Sequence, residues 1–386
     1  MRQPSITDYI RTLENPHGVF RTLGRIEVER DIYGELQLRA GNSAAVFTYI
    51  SENNRRRRSD RRMLKCYTRP NPRLREIYAY IERNRPALLP DVRMLQNELY
   101  VHSLSGEEGW VDVVEGEWAE GGTLDAAAAR ASKTDDRPRL RGFADAFDDL
   151  CRTLLAQEWA HGDLKPENIV VGPDGSLALI DCDAMWIPEF ACRQAAELGT
   201  PGYRHPMRDA SHFDKRIDGW PMLLISASLH ALALEPELYR KYNTTDNLIL
   251  SPAEVGGGRS AALAEMLELF ARAGMARQYR MAEALVSPFP EVGNAAKYFA
   301  PPAAQPSAPP PPAALQPGCP ASFVENGSWG FAGDDGTAVI APFWDEVLEF
   351  RGDRAAVRLG PWWHFADGQG RVAGGGLSYE EMCRRR

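Results

Sequence analysis

The sequence predicts an α+β protein whose strand-rich first part is followed by a helix-rich part and then by a small all-β module. Two observations predict the order of the first parts: apolar and polar residues alternate before residue 119, and apolar residues recur at helical spacing after residue 137. Strands that precede helices favour the α+β class over alternating α/β units. A proline-rich stretch at 301–320 then separates the last part from the rest. We therefore expect two lobes within residues 1–300 and one further module.

Composition limits the classes of function. With 386 residues, of which 44% are hydrophobic and 25% charged, the chain is globular in composition and long enough for more than one domain. Its net charge of −8 argues against a dedicated nucleic-acid-binding protein. Short apolar stretches, an N-terminus without a signal-peptide core and six cysteines without a Cys-x-x-Cys pair predict a soluble, cytoplasmic protein. In segment 55–62, six of eight residues are arginine. We expect an exposed loop there, with an acidic partner, membrane phosphates or RNA as the alternative.

The elements of the two lobes follow from the spacing of apolar residues. Leu140, Phe143 and Phe147 fall on one face of a helix, which predicts a long helix in the second lobe. The first lobe is expected over about 15–118 and the second over about 119–300. Strands are predicted over 35–67 and 92–118, and helices over about 73–81, 138–159, 218–235 and 260–286.

A linker and a repeat follow. Nine of the twenty residues at 301–320 are proline, which predicts a semi-rigid extended linker. After it, Trp-Gly-Phe-Ala at 329–332 returns 34 residues later as Trp-His-Phe-Ala at 363–366. This period resembles the WG repeat, an accessory module of bacterial proteins, although His364 stands where glycine is expected. We expect residues 321–386 to form a β-module that packs on the first domain or binds a protein partner. An ordinary pair of β-hairpins is the alternative.

Candidate catalytic residues come directly after the predicted long helix. The segment 161–168, His-Gly-Asp-Leu-Lys-Pro-Glu-Asn, places Asp163, Lys165 and Asn168 on one loop. Thirteen residues beyond Asn168, Asp181 ends a predicted hairpin that returns beside this loop. Two carboxylates and one amide oxygen suit Mg²⁺, and a nearby lysine suits the charge of a transferring phosphoryl group.

The same segments resemble the protein kinase superfamily. The stretch 161–168 is similar to the kinase catalytic loop, with glycine in place of the usual arginine. The Asp-Cys-Asp at 181–183 stands in place of the Asp-Phe-Gly metal motif and keeps its first residue. The stretch 199–206 resembles the end of an activation segment, and Asp218 resembles the aspartate that supports the catalytic loop. The resemblance implies a bilobal protein-kinase-like fold with a β-rich N-lobe and an α-rich C-lobe.

The resemblance also implies a nucleotide site. Lys65, in Met-Leu-Lys-Cys-Tyr, resembles the strand lysine that contacts the ATP phosphates, and Glu76 is its expected ion-pair partner, with Glu82 as the alternative. Mg²⁺ would then be held by Asn168 and Asp181.

The match to the kinase pattern is less complete in the loop over the nucleotide and in the segment between the lobes. Gly41 and Val46 match the glycine-rich loop over the nucleotide, whereas Arg39 stands where a glycine is usual. In the expected register of the segment between the lobes, backbone groups of Glu117 and Ala119 pair with the adenine base.

The resemblance favours a Ser/Thr-type protein kinase that transfers a phosphoryl group from ATP to a protein substrate. Lys165, two residues after Asp163, resembles Ser/Thr rather than Tyr kinases. Residues 184–198 contain no Ser, Thr or Tyr, and Gly162 removes the arginine that would receive a phosphate. Activity is therefore expected without phosphorylation of this loop. Two alternatives stay open: a pseudokinase that acts as a nucleotide-binding scaffold, and a small-molecule phosphotransferase of the aminoglycoside type.

Overall fold

The structure is a computed structural model and describes residues 3–51, 61–103, 106, 108–244, 247–256, 260–288, 294–300, 320–333 and 335–385. Helices take 36% and strands 28% of it, so the expected α+β class is confirmed. Most of the arginine-rich segment, from 55 to 60, and residues 301–319 of the linker predicted over 301–320 lie outside the described residues. Within those ranges, none of the helices has the length and apolar character that crossing a membrane requires.

The first part of the chain forms a six-stranded antiparallel sheet with two helices. The helices are α1 (Ile6–Glu14) and α2 (Leu74–Asn84), and the strands are β1 (Ile26–Val28), β2 (Leu38–Ala40), β3 (Ala44–Ser51), β4 (Arg61–Tyr67), β5 (Val92–His102) and β6 (Glu108–Glu117). The sheet has the order β1-β3-β4-β6-β5, with β2 paired to β3. Phe47 and Leu64 are fully buried in its core. Because β4 lies between β3 and β6, Lys65 is opposite Val46 on one side and Val114 on the other.

The second part is mainly helical. Its helices are α3 (Leu124–Lys133), α4 (Arg137–Leu155), α5 (Gly219–Leu234), α6 (Glu237–Tyr242), α7 (Pro252–Gly256), α8 (Ala261–Ala273), α9 (Ala276–Ala284) and α10 (Ala296–Phe299). Strands β7 (Gly122–Thr123), β8 (Ile169–Val171) and β9 (Leu177–Leu179) form a small sheet. Helix α5 is apolar on nearly every side and packs against α4 and α9, so it forms the centre of this core.

The predicted helices are confirmed with one correction. Those expected over 138–159 and 218–235 correspond to α4 and α5. The single helix expected over 260–286 is wrong, because Gly274 divides it into α8 and α9. Gly274 has a φ of +69°, the left-handed conformation that ends a helix and that glycine adopts without strain.

The third part consists of two antiparallel sheets and a short helix. Strands β10 (Ala321–Glu325), β11 (Ser328–Ala332) and β12 (Ala338–Trp344) form one sheet, and β13 (Glu346–Arg351), β14 (Arg354–Leu359), β15 (Trp362–Asp367) and β16 (Val372–Leu377) form the other, before α11 (Tyr379–Arg385). The 34-residue period is visible in the backbone. Gly333 N donates to Thr337 O at 2.9 Å, and 34 residues later Asp367 N donates to Arg371 O at 3.0 Å.

The third part packs on the second through His364, the residue that differs between the two copies of the 34-residue period. A Cβ on Gly330 would lie 2.5 Å from the Ile340 carbonyl oxygen, so the first copy needs glycine there. In the second copy the equivalent residue is His364, which is buried and whose Nε2 atom lies 2.9 Å from the Ala271 carbonyl oxygen near the end of α8. Packing on the first domain, one of the two outcomes expected from the sequence, is thus observed.

Candidate functional site

A cavity of about 410 Å³ lies between the six-stranded sheet and the helical part. It contains most of the residues that the sequence singles out. Eight of them line it: Gly41, Val46, Lys65, Glu117, Ala119, Lys165, Asn168 and Asp181. Asp163 touches Asn168, whereas Glu76 lies elsewhere. Residues more than 100 positions apart in the chain are therefore brought to one cavity.

The side chain of Asp218 anchors the backbone of the loop that carries Asp163. Its buried carboxylate accepts hydrogen bonds from the backbone N–H groups of His161, at 2.5 Å, and of Gly162, at 2.9 Å. Burial raises the pKa of Asp218. Gly162 has a φ of +82°, and a Cβ there would lie 2.0 Å from the Ala184 carbonyl oxygen. The departure from arginine at this position is thus required by the backbone.

Several hydrogen bonds hold the Asp163 carboxylate in one orientation. Asn168 Nδ2 donates to the Asp163 backbone oxygen at 2.9 Å and to its Oδ2 atom at 3.2 Å. The Thr200 backbone N–H donates to Oδ1. Lys165 Nζ lies 3.7 Å from Oδ2 and donates to the Thr200 hydroxyl at 2.9 Å. The acid, the lysine and the threonine therefore form one cluster at the edge of the cavity.

Asp181 reaches the same cavity through the hairpin of β8 and β9. The Ile180 N–H donates to the Asn168 carbonyl oxygen at 2.9 Å, which joins the end of the hairpin to the loop. Asp181 has a φ of +65°, and its side chain is 46% exposed. The positive charge of Lys65 lowers the pKa of Asp181, so the carboxylate is ionised at neutral pH.

Lys65 lies across the cavity and contacts two carboxylates. Its Nζ atom is 2.5 Å from Asp181 Oδ1 and 2.7 Å from Asp183 Oδ2. Burial alone would lower the pKa of this ammonium, but the charges of Asp183 and Asp181 outweigh burial and raise the pKa well above its ordinary value. The lysine is therefore a fixed, buried positive charge at the cavity wall.

The expected ion pair of Lys65 with Glu76 is wrong. Both carboxylate oxygens of Glu76 accept hydrogen bonds from Arg193 at 3.0 Å, and Glu82, the alternative, is exposed. Tyr78 is the residue of α2 that reaches the surroundings of the lysine, because its hydroxyl donates to Asp183 Oδ1 at 3.0 Å. A helix rotates by about 200° over the two residues from Glu76 to Tyr78. Sequence reasoning therefore missed Tyr78, and it missed Asp183, which stands where the motif has glycine.

The cover of the cavity differs from a glycine-rich loop. Gly41 N donates to the Ala44 carbonyl oxygen at 2.8 Å in the tight turn between β2 and β3. The guanidinium of Arg39 lies 4.8 Å from the ring centre of Trp118, on the segment after β6. Arg39, at the position where the resemblance predicts a glycine, thus stacks on another residue that lines the cavity.

The cavity offers two protein oxygen ligands to the expected magnesium ion. Within the described ranges, no group of three or more His, Cys, Asp or Glu residues is arranged for a metal. Asn168 directs its Nδ2 atom to Asp163, which leaves its amide oxygen for another partner. One carboxylate, from Asp181, and one amide oxygen fit Mg²⁺, which takes few protein ligands and keeps waters and substrate phosphates.

Comparison with known proteins adds no family to these observations. The sequence matches no protein-family model and has no significant match among curated proteins. A functional assignment therefore rests on the residues and contacts of the cavity.

Proposed function

We propose that this protein is a Ser/Thr-type protein kinase that transfers a phosphoryl group from ATP to a hydroxyl group of a protein substrate, with Mg²⁺ as cofactor. The proposal includes a bilobal kinase-like fold for residues 1–300. One observation carries it: Lys65 contacts Asp181 at 2.5 Å across the cavity. Asp181 is joined to Asn168 through the neighbouring Ile180. Phosphoryl transfer needs mainly positioned charges, and these residues provide positive and negative ones at a single cavity.

Each residue has a distinct task in this proposal. The oxygen of the substrate hydroxyl attacks the terminal phosphorus of ATP, and the bond from this phosphorus to ADP breaks. The Asp163 carboxylate, held by Thr200 and Asn168, accepts the proton of the hydroxyl. Lys165 lies beside this carboxylate and stabilises the negative charge of the transferred group. Lys65 binds the phosphates that stay with ADP. Bound Mg²⁺, held by Asn168 and Asp181, would neutralise charge on the phosphates.

Contacts of the segment after Asp183 support activity without its phosphorylation. Arg193 pairs with Glu76 of α2 at 3.0 Å. The guanidinium of Arg73 lies 5.1 Å from the ring centre of Phe190 and 5.0 Å from that of Phe213. These contacts hold the segment against α2 without a phosphate group. In a kinase that phosphorylation activates, a phosphorylated residue makes contacts of this kind.

A protein substrate is favoured over a small molecule by the stretch 199–206. In the aminoglycoside-type enzymes the catalytic loop is not followed by such a segment. Here Thr200 belongs to the segment and contacts both Asp163 and Lys165. The segment therefore forms part of the cavity edge where a substrate hydroxyl has to enter.

The proposal is tested by phosphoryl transfer with purified full-length protein. Labelled ATP and Mg²⁺ are supplied alone and with a generic basic protein, for the wild type and the variants Asp163→Asn and Asp181→Asn. Asp145→Asn, on the exposed face of α4, is the matched control because it makes the same change of charge away from the cavity. Transfer that both cavity variants abolish and the control retains supports the proposal.

The second candidate is a scaffold that binds nucleotide without transfer. The stacking of Arg39 on Trp118 favours it, because this contact crosses the edge of the cavity where a flexible cover is usual. ATP binding measured by calorimetry, with no transfer under the same conditions, would favour the scaffold and contradict the enzyme.

A further inference from the structure

We infer that Asp183 is the residue that positions Lys65 for the nucleotide phosphates, a role that rests on the proposed function. Asp183 comes two residues after Asp181, and only 8% of it is exposed. Its Oδ2 atom lies 2.7 Å from Lys65 Nζ. The carboxylates of helix α2 do not take this place, since Glu76 is paired elsewhere and Glu82 is exposed.

The Asp183 carboxylate is held from several sides. The hydroxyls of Tyr67 and Tyr78 donate to its Oδ1 atom at 2.9 Å and 3.0 Å, and Asn71 Nδ2 donates to its backbone oxygen at 3.3 Å. Burial, together with the nearby negative charge, raises the pKa of both tyrosines, so they remain protonated donors. One oxygen of Asp183 therefore faces two phenols while the other faces the ammonium group, which fixes the orientation of the carboxylate.

Asp181 and Asp183 have different roles: Asp181 is accessible from the cavity, and Asp183 holds Lys65. Asp181 is 46% exposed and lines the cavity, so its carboxylate is accessible to a ligand there. Asp183 is buried, and its carboxylate contacts Tyr67, Tyr78 and Lys65. If Asp181 turns to a metal ion, Lys65 loses one of two partners and keeps the other. The lysine thus stays charged and in place in either state.

This arrangement couples the lysine to the metal aspartate within one turn. Residues 182–184 form a single 3₁₀ turn directly after Asp181, so Asp181 and Asp183 belong to the same short backbone unit. Helix α2 contributes a phenol, Tyr78, rather than a carboxylate. The position of Lys65 therefore depends on the turn at 181–183 and less on the position of α2.

The test measures nucleotide binding by the full-length protein. Isothermal titration calorimetry in the absence of Mg²⁺ gives the Kd of ATP for the wild type, Asp183→Asn and the control Glu82→Gln, which makes the same change of charge at an exposed position. Without Asp183 the lysine is no longer held towards the phosphates, so Asp183→Asn should weaken ATP binding by about tenfold. The control should keep the Kd of the wild type. An unchanged or tighter Kd in Asp183→Asn, or an equal loss in Glu82→Gln, would overturn the inference.

A second variant covers the case in which Asp183→Asn does not fold. Tyr78→Phe removes one of the two hydroxyls that orient the Asp183 carboxylate and keeps its charge. ATP binding should then weaken by about threefold, the effect of one lost hydrogen bond, and an unchanged or tighter Kd would contradict the inference.

Kinetics separate this inference from the proposed function. In a transferring enzyme, Asp183→Asn should raise KM for ATP by about tenfold, and Glu82→Gln should leave KM unchanged. Absence of transfer in the wild type would refute the kinase, yet the Kd of ATP would still decide whether Asp183 positions Lys65. An unchanged KM in an Asp183→Asn variant that transfers would overturn the positioning role as well.

Discussion

The Nζ atom of Lys65 lies 2.5 Å from the Oδ1 atom of Asp181, although 116 residues separate them in the chain. Lys65 belongs to a central strand of the first sheet, whereas Asp181 ends a hairpin in the helical part. The contact therefore joins the two parts at the cavity. Because the lysine is buried, its charge is compensated mainly by Asp181 and Asp183.

Removal of this buried cation should destabilise the protein. Lys65→Met leaves the buried Asp183 without its counter-charge, and breaking such a pair costs about 3–5 kcal/mol. Urea unfolding at pH 7 measures the loss. The double variant Lys65→Met, Asp183→Asn removes the uncompensated charge as well and should regain much of the stability. A double variant no more stable than Lys65→Met would contradict this account.

Phosphatase treatment should leave the activity of the wild type unchanged, because the segment after Asp183 is held by unphosphorylated contacts. Arg193→Gln removes the ion pair with Glu76. A half-exposed ion pair is worth about 1 kcal/mol or less, so the rate should fall by about fivefold at most. Initial rates of phosphoryl transfer provide the measurement. Loss of activity after phosphatase treatment would show that a phosphate is required.

A buried cluster in the helical core should make stability depend on pH. Asp148 accepts hydrogen bonds from Ser226 at 2.6 Å and from Arg277 at 2.9 Å, and it lies 3.1 Å from His230 Nε2. Burial alone would raise the pKa of Asp148, but these groups lower it below 3.8, its ordinary value. A lowered pKa stabilises the fold above the ordinary pKa, and this contribution is lost as pH falls through the lowered pKa.

Asp148→Asn should therefore lower the free energy of unfolding by about 2 kcal/mol at pH 7. The difference from the wild type should begin to shrink below about pH 4, where the carboxyl of the unfolded chain takes up a proton, and should be lost as the pH falls through the lowered pKa of the folded protein. Denaturant unfolding at several pH values measures it, with Asp145→Asn as the control. A difference that stays constant down to pH 2 would refute the role of the charge.

His364→Ala should weaken the packing of the third part on α8. The variant removes the contact with the Ala271 carbonyl and leaves a cavity, which costs about 1–3 kcal/mol. Hydrogen exchange of the amides in α8 and β15 should increase, whereas His17→Ala, at an exposed position, should have no effect. Unchanged exchange in His364→Ala would mean that other contacts, such as Trp362 with Glu268, hold the two parts together.

The sequence predicted the local parts of the site better than the distant ones. Asp163, Asn168 and Asp181 lie within one loop and one hairpin, so their spacing determined how they meet. The partner of Lys65 depended on which face of α2 turns towards β4, and this rotation is set by tertiary packing. Asp183 stood at a position where a motif was incomplete, and the pattern gave no sign that a second acid had a use there.

The helix boundary at Gly274 shows the same limit. Apolar residues continue at helical spacing through 260–286, so the periodicity alone indicated one helix. A glycine inside a helical pattern is compatible with either a continuous helix or an end. Here a Cβ on Gly274 would lie 2.9 Å from the His364 ring, so the break also makes room for the third part.

Substitution of glycine by histidine in the second repeat makes the two copies unequal. In the first copy, two strands of the same module come so close at Gly330 that a side chain is excluded. In the second copy, the same position is His364, whose imidazole contacts the Ala271 carbonyl oxygen in α8. A fragment of residues 320–385 alone would expose this imidazole and the indole of Trp362 to water. We therefore expect such a fragment to self-associate once it is separated from α8, because the surface that α8 covers is then open to a second copy.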